Sequence, residues 1–344
     1  MIMQHGGNIS RIENILDFSA NINPLGAPES VKETLRNSIP DVEKYPDPYC
    51  TELRKRLAGH EHIPAANIVC GSGADDLIFR IVNALKPEKA LVCAPAFSEY
   101  SRALRECGCE VCEHFLAEES GFAVTGNLAA RLDSSFDICF LCTPNNPAGR
   151  LIQPEILRDI ARACDENGIV LVCDECFLGF AEDGGKYSLR SFLGENCIVI
   201  DAFTKLYAMP GIRLGYAVFG SSDLAERVRG TGQFWSVSSL AQSAGLAALG
   251  EEDYVRRTVS FVSAEREFLS AELRSLGAEV FPSAANFLLF RSSTGLAEKM
   301  LAEGILIRDC SNFSGLSDGF YRVAVRTREE NIRLVSALRR CIYG

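Results

Sequence analysis

The chain has 344 residues, 47% hydrophobic and 23% charged. That is enough to bury a core of about two domains, and the composition is unlike that of a disordered, collagen-like or disulfide-stapled protein. Its 35 Lys and Arg against 45 Asp and Glu leave a net charge of −10, which argues against a broad binding face for nucleic acid or anionic membrane, so an anionic ligand must meet a local cluster of arginines.

The opening MIMQHGGNISRIEN has no basic stretch leading into an apolar run, and no apolar segment approaches the roughly 18 residues that cross a bilayer. With 14 Cys, the expected setting is a reducing cytoplasm. The first forty residues hold turns (NINPLG) and one helical stretch (ESVKETLRNS), too little for a core of their own, and should pack on the C-terminal part of the chain.

From residue 75 onward helical and strand patterns alternate. DDLIFRIVNAL (75–85), EYSRALREC (99–107) and PEILRDIARACDENG (154–168) place apolar residues at i, i+3, i+4, and the last has Pro154 near its start and Gly168 past its end. ALVCAPA (90–96), FDICFLC (136–142), GIVLVCDE (168–175), CIVIDAF (197–203) and LGYAVFG (214–220) have the length and β-branched content of buried strands. The order predicts an α/β fold with βα crossovers and a mainly parallel sheet covered on both faces.

After about residue 250 comes a long helix, DYVRRTVSFVSAEREFLSAELRSLG. Short strands near 279–290 and 319–325 and a closing helix, EENIRLVSALRRC, follow it. This pattern suggests a large domain over 45–245 and a smaller α+β domain built from 1–44 and 246–344.

In an open α/β sheet a ligand lies at the carboxyl ends of the strands. There the sequence places TPNNPAG (143–149) after one strand, Asp174-Glu175 after the next and Thr204-Lys205 after a third, with GIRLGY following. An amide, a carboxylate and an amine therefore converge on one crevice. A desolvated Lys is a nucleophilic amine, and a nearby carboxylate can keep a heteroaromatic nitrogen protonated, which is the equipment for a Schiff-base cofactor with an electron-accepting ring.

TPNNPAG, DECF and FTKLYAMPGIRLGY, in this order and spacing, resemble the fold-type I aminotransferase family of pyridoxal-phosphate (PLP) enzymes. The resemblance makes Lys205 the lysine that binds the cofactor aldehyde and Asp174 the partner of its ring nitrogen. It assigns Asn146 to the ring hydroxyl and Phe97 to stacking on the ring. The cofactor phosphate falls to Arg213, Thr204 and the backbone N–H groups of Gly73, Ala74 and Asp75. Tyr45, in KYPDP, matches a tyrosine that reaches the neighbouring subunit's phosphate, which implies a homodimer with shared sites. Phe177 stands where the family often has Tyr, and Ala202 where it often has Ser or Thr.

HGGNISRIENILDFSANINPLGAP and GILIRDCSNFSGLSDGFYRVAVRTREEN resemble more narrowly the threonine-phosphate decarboxylases of cobalamin biosynthesis, next to histidinol-phosphate aminotransferases. That resemblance implies decarboxylation of O-phospho-L-threonine to (R)-1-amino-2-propanol O-phosphate. Arg308, Arg322 and Arg326 would meet the substrate's carboxylate and phosphate in an order the sequence leaves open. His5 and Asn8 would close over the phosphate, while Asn23 and Asn286 would position substrate or loop backbone. An aminotransferase is the runner-up. A non-catalytic PLP-binding regulator is a third reading, disfavoured by the retained Lys205 and Asp174 and by the lack of a DNA-binding segment before residue 45.

CysXCysXXCys at 107–112 and Cys173-Asp-Glu-Cys176 have spacings that suggest metal, but neither has a second Cys or His pair at useful spacing. Small buried apolar cysteines are the expected reading, with no metal.

Overall fold

The structure is a computed structural model and describes residues 6–7 and 15–344. The opening segment splits between two parts of the molecule. Strand β1 (Leu16–Asp17) and the buried Phe18 join the C-terminal part. Helix α1 (Glu29–Asn37) instead packs against α8 (Ser239–Ala248), and its Val31 shares a core with Leu53 and Leu57 of α2 (Thr51–Glu61). β1 thus pairs within the C-terminal part, while α1 lies against α8. The cause is local: Ala241, Ala244 and Ala248 of α8 are buried and small, which lets a second helix approach closely.

A seven-stranded sheet forms the centre. It contains β2 (Ile68–Gly71), β3 (Lys89–Ala94), β4 (Glu110–Phe115), β5 (Ile138–Cys142), β6 (Val170–Asp174), β7 (Cys197–Ala202) and β8 (Gly215–Phe219), in the order β2-β8-β7-β6-β5-β3-β4. Strands β3 to β7 pair in parallel, while β8 runs antiparallel to both β7 and β2. The continuous apolar runs of β5, β6 and β7 follow from burial on both faces. β4 lies at the edge and exposes charged residues, so its strand pattern is weak in the sequence.

Helices α3 (Ala74–Leu85), α4 (Ser98–Glu106), α5 (Pro154–Glu166) and α7 (Ser222–Arg229) flank the sheet. In α5, Pro154 occupies the first turn, where its missing N–H costs nothing, and Leu157, Ile160, Ala161 and Cys164 form one buried stripe. A single turn, α6 (Phe203–Leu206), follows β7 directly and carries Lys205.

Helix α9 (Glu252–Ser275) leads to the C-terminal sheet. Strands β9 (Glu279–Val280) and β10 (Phe287–Arg291), helix α10 (Leu296–Ala302), strands β11 (Ile305–Leu306), β12 (Arg308–Asp309) and β13 (Phe320–Ala324), and helix α11 (Arg328–Tyr343) complete the chain. The antiparallel order is β12-β13-β10-β9, and β1 pairs in parallel with β11. Thr327 and Glu330 close a capping box at the start of α11.

Eleven of the fourteen cysteines are buried, and all fourteen are free thiols. Cys173 and Cys176 belong to different core clusters, so they do not converge on one ion. No helix among the described residues is long and apolar enough to cross a membrane.

Candidate active site

A cavity of about 520 Å3 opens at the carboxyl ends of the parallel strands, between the central and C-terminal sheets. Phe97 lines it from beyond β3, Asn146 from beyond β5, Asp174 from the end of β6, and Thr204 and Lys205 from the turn after β7. Arg308 and Arg322 close it from β12 and β13, and Gly6, Ser19 and Asn21 from the opening segment.

Asp174 is buried, and its carboxylate is held in place from two sides. The Tyr100 hydroxyl donates to Oδ2 at 2.6 Å and the Cys176 amide to Oδ1 at 3.0 Å. Tyr100 is 1% exposed, stacks on Phe140 at 5.3 Å and meets Phe97 edge-on at 5.7 Å. Sequence reasoning missed Tyr100, although its place three residues after Phe97 in PAFSEY puts both on one side of the first turn of α4.

Lys205 is partly buried. Desolvation first, with the positive charges of Arg322 and Arg213 adding to it, pulls the amine down to about 8. A larger share of it is therefore neutral near pH 7 than for an exposed lysine.

Glu175, next to Asp174, is fully buried and joined to a separate ionic cluster. It accepts hydrogen bonds from Ser188 Oγ at 2.7 Å, the Leu189 amide at 2.8 Å and Arg190 at 2.5 Å. Arg190 also pairs with Glu61 at 2.8 Å and Asp201 at 2.9 Å. Burial pushes Glu175 up to about 7 against the pull of Arg190, and pushes Asp201 up to about 6. The cluster ties the end of β6, which carries Asp174, to the end of β7, which leads directly into the turn that carries Lys205.

At the other end of the cavity the chain builds an anion cradle. Gly73 has φ +92° and precedes the first turn of α3, whose N–H groups point outward without intrahelical partners. A Cβ on Gly73 would stand 2.8 Å from Nη2 of Arg213, so a side chain there would push the guanidinium away from this turn, and the φ of +92° itself favours glycine. Arg213 itself has φ +60° and is tied by Nη1 to the Pro210 carbonyl at 3.2 Å. Thr204, Ala74 and Asp75 share the same wall.

Opposite lie the two arginines. Arg308 and Arg322 are direct cross-strand partners and are 4% and 5% exposed. Arg322 donates to Asn146 Oδ1 and, at 2.8 Å, to the Ser19 carbonyl. Arg308 donates to the Asp309 carbonyl and, at 2.7 Å, to Asn312 Oδ1. Burial, followed by smaller effects that include the charge of Arg308, lowers Arg322 to about 10. Asn21, also missed by sequence reasoning, is 3% exposed, and its Oδ1 has no hydrogen-bond partner among the described residues.

Several expected residues lie elsewhere. Arg326 follows the end of β13 and donates to Glu330 at 2.6 Å and to the Asp17 carbonyl at 3.1 Å. It is therefore drawn to the α11 cap and away from the cavity wall. Asn23 spends its amide on the Leu206 carbonyl at 2.7 Å and Thr258 Oγ1 at 2.8 Å, while its Oδ1 accepts from the Leu25 amide at 3.0 Å. It braces the Lys205 turn and leaves no group for substrate. Asn286 is fully buried and does not line the cavity. Tyr45 is 79% exposed and stacks on Trp235 at 4.5 Å, also off this chain's cavity wall. His5 and Asn8 lie outside the described residues.

Residues 13–338 match the aminotransferase class I and II family. The chain is 38% identical to threonine-phosphate decarboxylase of Salmonella typhimurium, over 99% of this chain and 97% of that protein. Among solved structures, the histidinol-phosphate aminotransferase of Clostridium acetobutylicum superposes with a TM-score of 0.89 at 30% identity, covering 94% of this chain and 98% of its own. The L-threonine-O-3-phosphate decarboxylase of Porphyromonas gingivalis gives 0.80 at 28% identity, covering 93% and 97%.

The cavity fits the family's cofactor in its donor set. It offers an amine of lowered basicity, a hydrogen-bonded carboxylate, and a glycine turn that admits an arginine at a helix N-terminus. The chain has the fold-type I architecture and belongs to the class I and II aminotransferase family of pyridoxal-phosphate-dependent enzymes.

Proposed function

We propose that the protein decarboxylates O-phospho-L-threonine to (R)-1-amino-2-propanol O-phosphate, a step of cobalamin biosynthesis. The carrying observation is the opposed, buried pair Arg308 and Arg322 in the cavity that holds Lys205. Like charges facing each other across two strands are unfavourable by themselves, and a ligand with two separate anionic groups answers both. The full-length similarity to a threonine-phosphate decarboxylase supports the same reading.

In this reading Arg213, Thr204 and the Gly73–Asp75 amides hold the cofactor phosphate. Asp174 holds the ring nitrogen, Asn146 the ring hydroxyl, and Phe97 the ring face. When bound, PLP supplies a conjugated ring that accepts the electron pair released at the substrate Cα. Arg308 and Arg322 grip the substrate at its two ends and set which Cα bond faces that ring. Tyr100 keeps the Asp174 carboxylate oriented. Lys205 would hold a proton on Nζ and deliver it to the substrate Cα once the carboxylate has left as CO2. Asn21 offers its free Oδ1 to a donor on the substrate. Tyr45, exposed beside Trp235, serves the site of a second copy in a homodimer.

Histidinol-phosphate aminotransferase is the second reading, favoured by the 0.89 superposition. Histidinol phosphate carries one anionic group, but the 2-oxoglutarate that accepts its amino group carries two, so the arginine pair fits this reading as well and the product decides between them. Incubating the PLP-loaded protein with O-phospho-L-threonine and no oxo acid distinguishes the two. CO2 in molar excess over enzyme supports the decarboxylase. No CO2, with amino transfer from histidinol phosphate to 2-oxoglutarate, overturns it.

A further inference from the structure

One side of the active-site cavity is walled by residues 310–319, the connection between β12 and β13. Asn312, Phe313 and Ser314 of this connection line the cavity beside Arg308. Its base is closed by the Cys310 amide, which donates to the Phe320 carbonyl at 2.9 Å. Two successive turns then fold it back on itself: the Phe313 amide donates to the Cys310 carbonyl and the Leu316 amide to the Phe313 carbonyl, each at 3.0 Å. Main-chain bonds thus set its path and present its side chains in fixed directions.

Two of those side chains are spent on Arg308. Asn312 Oδ1 accepts from Nη2 at 2.7 Å, and the Phe313 ring lies 5.2 Å from the guanidinium carbon. An amide oxygen and a ring face both fix the direction of a guanidinium, and neither cancels its charge. The third, Ser314, reaches to the central sheet, where its hydroxyl donates at 2.6 Å to Oε2 of Glu113 on the edge strand β4. Gly315 follows with φ +85°, and a Cβ there would stand 3.1 Å from the Phe115 ring, so the connection lies close against β4. Arg308 belongs to the C-terminal sheet, and its orientation is therefore tied to the central one.

We infer that Asn312 is a positioning residue that sets the site's specificity for ligands with two anionic groups: its neutral hydrogen bond aims Arg308 at one of them, while Ser314 and Glu113 keep the connection in register with the central sheet. The inference rests on the reading of Arg308 and Arg322 as the two anchors. With an amide at position 312, Arg308 is oriented by the chain and keeps its charge for the ligand. A carboxylate there would make the same hydrogen bond, pair with the arginine and compete with the ligand anion. Asn312 touches the guanidinium and not the reacting bond, so its substitution acts on binding and leaves the chemical step in place.

The test uses the PLP-loaded protein and two probes, O-phospho-L-threonine, followed through the absorption of the lysine-bound cofactor and through CO2 release, and 2-oxoglutarate, followed by calorimetry. Asn312 is exposed, so its variants keep the fold. For whichever probe the wild type binds, Asn312→Asp is expected to weaken binding about 30-fold and Asn312→Ala about 3- to 10-fold. PLP affinity and melting temperature should stay at the wild-type value, and kcat at saturating substrate within about threefold. Glu113→Ala should weaken binding severalfold, and Glu113→Gln, which keeps an acceptor for Ser314, should restore it. Asn312→Asp binding as well as the wild type, or no more weakly than Asn312→Ala, overturns the inference and leaves the anchor reading standing. A wild type that binds neither probe overturns the anchor reading itself, and the inference with it.

Discussion

Arg308 and Arg322 face each other directly across β12 and β13, both almost wholly buried. Each guanidinium is hydrogen-bonded within the chain, Arg322 to Asn146 and Ser19 and Arg308 to Asp309 and Asn312, yet two like charges buried side by side still repel, and an anionic ligand offsets that repulsion. Arg308→Met is expected to leave the melting temperature of the ligand-free protein equal or higher. It is expected to lower kcat/KM for O-phospho-L-threonine by about 100-fold, the equivalent of ~2.7 kcal/mol. Thermal melting and steady-state kinetics on one preparation check both halves. A variant that loses stability and keeps activity would show the pair to be structural.

Arg326 is the control. Its guanidinium is spent on Glu330 and the Asp17 carbonyl, so Arg326→Gln should cost about 0.5–1.5 kcal/mol of stability, read by urea unfolding. Turnover should change less than threefold.

Tyr100→Phe removes the 2.6 Å bond to Asp174 and leaves the packing against Phe140 in place. A hydrogen bond to a buried carboxylate is worth about 1.5–3 kcal/mol, so the expected loss in kcat is roughly 10- to 100-fold, with a weaker hold on PLP and little change in KM. Titrating the apoprotein with PLP and following the absorption of the lysine-bound cofactor measures the second effect.

Lys205 is drawn down to about 8, with burial as the leading cause and Arg322 next. The rate at which the apoprotein incorporates PLP should therefore rise with pH and level off above about 8, because only the neutral amine attacks the aldehyde. Arg322→Gln removes one of the charges that lower the amine and should move the midpoint to higher pH. Stopped-flow absorbance across pH 6–10 records both curves.

Glu175 titrates near 7 in the folded chain, above the ordinary carboxylate value of 4.5. The folded state then holds a proton that the unfolded state has released. That contribution to stability is complete below about pH 4.5 and is lost as pH rises through about 7. Glu175→Gln should therefore gain stability relative to wild type between pH 5 and 7.5. A constant difference across that range would mean that Arg190 keeps Glu175 charged throughout.

Much of this was legible in the sequence. The apolar runs that became β3 and β5 to β8 are buried on both faces, and such strands announce themselves as continuous apolar stretches. Residues at strand ends, Asn146, Asp174 and Lys205, were legible because the α/β layout fixes where such ends point. β2 was hidden by its four-residue length, and β4 by its exposed edge. The substrate side was harder. Arg322 and Arg326 are four residues apart, yet β13 ends between them, and only the first faces the cavity. Asn21 and Asn23 sit on opposite sides of one turn, and no periodicity in NINP tells which amide is spent on Leu206 and Thr258. Tyr100 acts through a partner 74 residues away, a relationship carried by the fold alone.

The central claim is tested most directly by the product formed in D2O. With O-phospho-L-threonine as the sole substrate, the account predicts a phosphorylated amino alcohol carrying one non-exchangeable deuterium on the carbon that lost CO2, at more than one equivalent per enzyme. A phosphorylated 2-oxo acid that retains its carboxylate, formed in at most one equivalent until an amino acceptor is added, would contradict it and make the enzyme an aminotransferase.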